Sequence, residues 1–151
     1  MRAEAPIGQD ATVNSIAPFL VAASAAIVFV LGAIHLLYTF HGPLLRPRDR
    51  ELQARMAAVS PVISRETTMW KTWIGFNASH SIALLLFGAM YGYLALAHAD
   101  LLFGSVFLRA IGLAVLLGYV ALAKLYFFRI PLLGVIGATL LYGLAIAARG
   151  F

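Results

Sequence analysis

Residues 17–40 read APFLVAASAAIVFVLGAIHLLYTF, 24 positions without a charged side chain and with a single histidine, His35. An α-helix rises ~1.5 Å per residue, so about 20 apolar residues cross the hydrocarbon layer of a bilayer. The run is long enough. No water reaches backbone N–H and C=O groups in that layer, and a helix pairs all of them within one segment. Gly42-Pro43 ends the run. It is longer than the ~7–15 apolar residues of a signal peptide and is followed by no small-residue cleavage site, so it reads as a retained first span.

The same reasoning gives three further spans, over residues 70–97, 101–128 and 130–148, the last with Pro131 in its first turn, where a missing N–H costs nothing. Residues 98–100 and 129 leave very short links, which force neighbouring helices to run antiparallel. Gly88-x-x-x-Gly92 and Gly134-x-x-Gly137 are spacings that let helices approach closely. The expected fold is all-α: a polytopic membrane protein, residues 1–151 forming one integral membrane domain. Its core is an up-down bundle of four transmembrane helices, with a short interfacial helix between spans one and two.

Composition agrees. The chain of 151 residues is 62% hydrophobic and 11% charged, against about 45–50% and about 25% in a soluble domain. Cysteine is absent, which excludes disulfides, thiolate catalysis and cysteine metal sites. No internal repeat or low-complexity tract is present.

The one long polar stretch is the connection 42–68. Pro47, Asp49 and Glu51 suit a helix start, Glu51 and Arg55 are spaced for an i,i+4 pair, and Leu52, Met56 and Val59 share a face. A helix over 48–59 lying flat at the membrane surface is expected, broken by Ser60-Pro61, with Ser64 and Glu66 capping the approach to span two. Eight basic residues belong to the first and third connections and their flanks: Arg46, Arg48, Arg50, Arg55, Arg65, Lys71, Lys124 and Arg129. Three others, Arg2, Arg109 and Arg149, fall elsewhere. Basic residues collect on the cytoplasmic side, so these connections are expected there and both termini outside. The net charge of +5 thus expresses topology, and no nucleic-acid partner is expected. Arg109 and Lys124 are expected to anchor span three by reaching toward head groups; an Arg109 that faced the bundle instead would want an anion such as a lipid phosphate or haem propionate.

Polar residues inside a membrane are expensive, so each one needs an account. His35 lies about 7 Å inside the cytoplasmic end of span one and His80 about 10 Å inside that of span two. Asn77, His80 and Ser81 share a face at i, i+3 and i+4; Tyr38 shares the face of His35, and Tyr119 reaches a comparable level from span three. One reading is that these groups hydrogen-bond one another and set helix register, at about 0.6 kcal/mol per contact. A second makes His35 and His80 the axial ligands of a b-type haem. A third makes Tyr38, Asn77, Ser81 and Tyr119 the polar lining of a pocket for a quinone or lipid. No metal-ligand spacing accompanies the histidines. The acidic residues, Glu4, Asp10, Asp49, Glu51, Glu66 and Asp100, all lie outside the spans or at their ends. Acid–base catalysis by His80 therefore lacks an orienting carboxylate, and proton-coupled transport lacks its usual buried acid. The sequon Asn77-Ala78-Ser79 lies within a span and is discounted.

The block Thr67-Thr68-Met69-Trp70, followed by Trp73-Ile74-Gly75-Phe76-Asn77-Ala78-Ser79-His80-Ser81, resembles the W-x-G-F-N-x-S-H-S signature of a family of small bacterial membrane proteins with four predicted spans. The resemblance implies a bacterial inner-membrane location and no particular activity. The functional expectation is a non-enzymatic membrane protein, an accessory subunit of a membrane complex or a binder of small amphiphiles such as lipid or quinone. Its partners are then membrane lipids, with anionic lipid at the basic connection, and other membrane subunits. No cofactor is expected on this reading; the alternative is an electron-transfer protein holding haem b between His35 and His80.

Overall fold

A computed structural model describes residues 7–149, with side chains from Ile16 onward. Arg2, Glu4 and the side chain of Asp10 lie outside the described part. The regular structure of the described residues is all helix: α1 (Ile7–Phe40), α2 (Arg50–Ala58), α3 (Met69–Ala97), α4 (Ala99–Gly104), α5 (Val106–Tyr126) and α6 (Arg129–Arg149). Residues 16–40 of α1, together with α3, α5 and α6, make four helices long and apolar enough to cross a membrane. Large apolar side chains along these helices stand exposed, among them Phe19, Phe76, Phe107, Leu125 and Ile130. Such surface is stable when the surrounding medium is hydrocarbon. The fold class is that of a polytopic α-helical membrane protein.

The helix ends follow from local chemistry. After α1, His41 N still donates to Leu37 O at 2.8 Å, and Gly42 then takes φ +85°, a left-handed conformation that glycine adopts without a Cβ clash. Asp49 caps α2 by accepting from Glu51 N at 2.8 Å and Leu52 N at 3.3 Å. The Glu51–Arg55 pair forms at 2.7 Å, fully in the open, and contributes little. The cap of α3 differs from expectation. Ser64 accepts only from Glu66 N in a local turn, while Thr68 Oγ1 accepts from Lys71 N at 3.3 Å and starts the helix.

Span three also differs. The expected helix over 101–128 is two helices, because extended Ser105 interrupts it and its hydroxyl accepts from Leu108 N at 3.3 Å to cap α5. The apolar run continues across the break, so hydropathy hides it; the Gly104-Ser105 pair is the local signal. At the other end α5 stops at Tyr126, with Phe127 extended and its N–H on Ala123 O.

The chain divides into two compact units, residues 30–85 and the remainder. In the larger unit the buried side chains of α1 are small or β-branched, Ala17, Val21, Ala25 and Val28, and Ser24 donates to Ala138 O of α6 at 2.7 Å. Gly88 of α3 packs so closely that an added Cβ would lie 2.6 Å from Phe29 Cβ and 2.7 Å from Ala25 O. Gly92 is looser, with Ala25 Cβ at 3.7 Å, and Gly137 faces open space rather than a neighbouring helix. In the smaller unit Gly32 of α1 sits against α3, where an added Cβ would lie 2.7 Å from Leu84 Cβ and 3.1 Å from Ser81 O. The order of these contacts, residue 32 on 81–85 and residue 35 on 77–80, makes the two helix segments antiparallel within this unit.

Gly88→Val is expected to destabilise the protein by about 1–3 kcal/mol, because backbone as well as side chain would have to give way. Gly75, with nothing within 4 Å of an added Cβ, is the matched control. Gly75→Ala is expected to be neutral or to stabilise by up to about 1 kcal/mol through helix propensity. Unfolding by sodium dodecyl sulfate in mixed micelles compares the two variants.

Candidate functional site

The buried side chains of the smaller unit are Thr39, Asn77, Ser81 and Leu84, three of them polar. Asn77 and Ser81 lie on an i, i+4, i+8 stripe of α3 with the exposed Trp73, and Asn77 meets His35 near the end of α1. Asn77 is the hub. Its Nδ2 donates to Trp73 O at 2.8 Å, and its own carbonyl accepts from Ser81 Oγ at 2.9 Å. Its Oδ1 lies 3.0 Å from His35 Nε2, the bond that joins the two helices. Thr39 Oγ1 donates to His35 O at 2.8 Å, and Trp73 Nε1 donates to Leu45 O at 3.0 Å, tying the connection after α1 back to α3.

This arrangement fixes a proton. A backbone carbonyl only accepts, so the Asn77 amide must turn its nitrogen to Trp73 O and its oxygen to His35. An oxygen there accepts only from a protonated nitrogen, so His35 carries hydrogen on Nε2. The rings of His35 and His80 meet edge to face, centroids 5.4 Å apart at 77°. That distance lies in the range of direct aromatic contact. Axial haem ligation requires two unprotonated nitrogens aimed at one iron from opposite faces of the macrocycle. For His35 to ligate through Nε2, its bond to Asn77 must open and the two rings must separate.

The other expected site residues distribute unevenly. Ser81 is fully buried, but its hydroxyl is directed to the backbone of its own helix. Tyr38 is partly exposed and lines a recess instead of joining the Asn77 network, and the neighbouring Thr39 donates to the His35 carbonyl of its own helix. Tyr119, partly buried on α5, belongs to the larger unit. Sequence reading missed Thr39 and the Trp73–Leu45 bond. A threonine four residues after His35 was the available signal, since its hydroxyl reaches the i−4 carbonyl of a helix.

Beside the polar hub, at the junction of α1 and the connection, lies a recess of about 220 Å³ walled by Tyr38, Thr39, Leu45, Arg46, Trp70 and Ile74. A second, wider recess of about 490 Å³ is bounded by Arg46, Arg50, Gln53, Ala57 and Trp70. Arg46 and Trp70 line both. Each therefore offers a cation beside an indole or phenol, with apolar walls around them.

The larger unit holds a second polar group that the sequence did not mark. Tyr91 Oη donates to Leu108 O at 2.8 Å, and Tyr142 Oη lies 3.4 Å from Leu108 O and 3.3 Å from Arg109 O. The tyrosine rings meet edge to face, centroids 5.7 Å apart. Gly112, four residues after Leu108, leaves that carbonyl approachable: an added Cβ would collide with the Tyr142 hydroxyl and the Tyr91 ring. The expected anchoring role of Arg109 needs correction. With α5 starting at Val106 it stands in the first turn and is 9% exposed, packed in protein rather than reaching outward. Lys124 is exposed, as expected.

Among the described residues no group of three or more His, Asp or Glu is placed to hold a metal ion. Comparison with protein-family models, curated proteins and solved structures finds no match for the chain.

A double-mutant cycle on His35→Ala and Asn77→Ala is expected to return a coupling of about 0.6 kcal/mol, and no more than about 1.7 kcal/mol. Nitrogen-15 NMR should place the His35 proton on Nε2 in the wild type and lose that preference in Asn77→Leu. Zero coupling and a proton on Nδ1 would refute the hub.

Proposed function

We propose that this chain is a small-amphiphile-binding component of the membrane, with no catalytic chemistry of its own. Its site is the recess bounded by Tyr38, Arg46, Trp70 and Ile74. The supporting observation is the composition of those walls, aromatic and apolar surface beside a guanidinium. They stand where α1 ends at Phe40 and α3 begins at Met69. An amphiphile presents the complementary pattern, and tryptophan and tyrosine favour the same polar–apolar boundary. The His35–Asn77 hub serves this site by fixing the helix segments that form it. Lipids and quinones are the ligand class, and the exposed apolar helix faces suit a subunit of a larger membrane assembly.

The same reading carries a location, the bacterial inner membrane, with the basic connection cytoplasmic and both termini periplasmic. It also keeps the chain within the small bacterial family whose W-x-G-F-N-x-S-H-S block it resembles. In that block Trp73, Asn77, Ser79 and Ser81 each make side-chain hydrogen bonds.

Solvent extraction of the gently purified protein should release a stoichiometric lipid or quinone, detected by mass spectrometry and lost in a Tyr38→Ala, Trp70→Ala variant that still folds. Protein that retains and rebinds neither class would refute the reading. A reporter fused after Phe151 should be active only outside the cytoplasm. Protein from haem-replete cells is expected to be colourless, whereas a Soret band abolished by both His35→Ala and His80→Ala would establish haem instead.

A further inference from the structure

From the wider recess we infer that the amphiphile is an anionic phospholipid whose phosphate is gripped between Arg46 and Arg50, with an acyl chain passing Trp70 toward Ile74. The inference rests on the amphiphile-binding reading above and adds the chemistry of the head group. Three observations carry it.

The first is the state of the local charges. Arg55 lies 2.7 Å from Glu51 and lines neither recess. The Asp49 carboxylate is spent on the cap of α2, accepting from Glu51 N and Leu52 N. Arg46 and Arg50 make no ion pair among the described residues, although both line one recess. Two guanidiniums facing one cavity repel each other until an anion joins them. A guanidinium presents parallel N–H donors that match a phosphate, which gives a directional grip as well as charge.

The second is continuity. Arg46 and Trp70 belong to both recesses. A ligand whose charge rests at Arg46 and Arg50 can therefore continue past the indole to the apolar wall at Ile74 and Tyr38. A free phosphate fills only the first part. A neutral quinone fills only the second.

The third is size. The wider recess, about 490 Å³, is a shallow, open depression with room for a head group, while the narrower one, about 220 Å³, is more enclosed. The larger volume lies on the charged side, where a head group is needed.

Arg48 supplies the control. It sits between the two arginines in sequence, carries the same charge, and does not line either recess. The test is native mass spectrometry of the full chain, delipidated and then mixed with equimolar palmitoyl-oleoyl phosphatidylglycerol and phosphatidylcholine. A basic residue near a membrane surface strengthens anionic-lipid binding about fivefold. The expected result is a retained phosphatidylglycerol adduct, weakened about fivefold in Arg46→Gln and in Arg50→Gln and further in the double variant, with Arg48→Gln unchanged. Melting temperatures of the variants check that each remains folded, and Arg46→Lys should keep only part of the preference because it lacks the fork.

Equal retention of both lipids, unaffected by Arg46→Gln and Arg50→Gln, would overturn the phosphate grip while leaving amphiphile binding intact. An equal loss in Arg48→Gln would also overturn it, by showing diffuse surface charge. Displacement of the lipid by millimolar inorganic phosphate would overturn the lipid assignment, since the acyl chain would then add nothing. Retention of neither lipid would overturn this inference, and the underlying reading falls with it only if the protein also retains no quinone.

Discussion

The hydrogen bond between His35 Nε2 and Asn77 Oδ1 is the contact on which the smaller unit depends. In hydrocarbon a polar side chain has no water to fall back on, so it must be paired within the protein or be excluded from it. This unit buries Thr39, Asn77 and Ser81 against a single large apolar side chain, Leu84. Apolar burial also distinguishes poorly between two helix registers when the surrounding lipid is as apolar as the core. A directional bond between two specific residues does distinguish them. Gly32 lets the backbones approach closely enough for that bond to form.

The larger unit meets the same constraint differently. Its interface is built from small side chains on α1 and from Gly88, with Ser24 donating to Ala138 O as its polar tie. Where tyrosines are buried, their hydroxyls go to the Leu108 and Arg109 carbonyls, reached over the bare face of Gly112. In both units a glycine gives access and a side chain supplies the bond. The partner is a side chain in one case and a backbone carbonyl in the other, so only the first leaves a recognisable pair of residues in the sequence.

The hub and the recess form one construction. Thr39 bonds His35 O and also lines the recess. Leu45, whose carbonyl accepts from the Trp73 indole, is another of its walls. The histidine–asparagine cluster therefore acts through position. It holds the end of α1 and the following connection against α3, and the recess forms where they meet.

Amino-acid sequence alone determined the span count, the His35–Asn77–His80 part of the polar cluster and the short helix α2. These depend on properties local to a segment: the length of an apolar run, the spacing of residues on a helix face, the caps at Asp49 and Gly42. Sequence also placed His35, Asn77 and His80 together, because antiparallel neighbours of known length bring equal depths side by side. Tertiary structure decided what pairs with what. It joined His35 to Asn77 and left Tyr38 lining a recess, broke the third apolar run at Ser105, buried Arg109, and brought Arg46, Arg50 and Trp70 around one recess. Hydropathy cannot register these outcomes, since a helix break within an apolar run leaves its average unchanged. A recess between a loop and two helices exists only once the chain has closed around it.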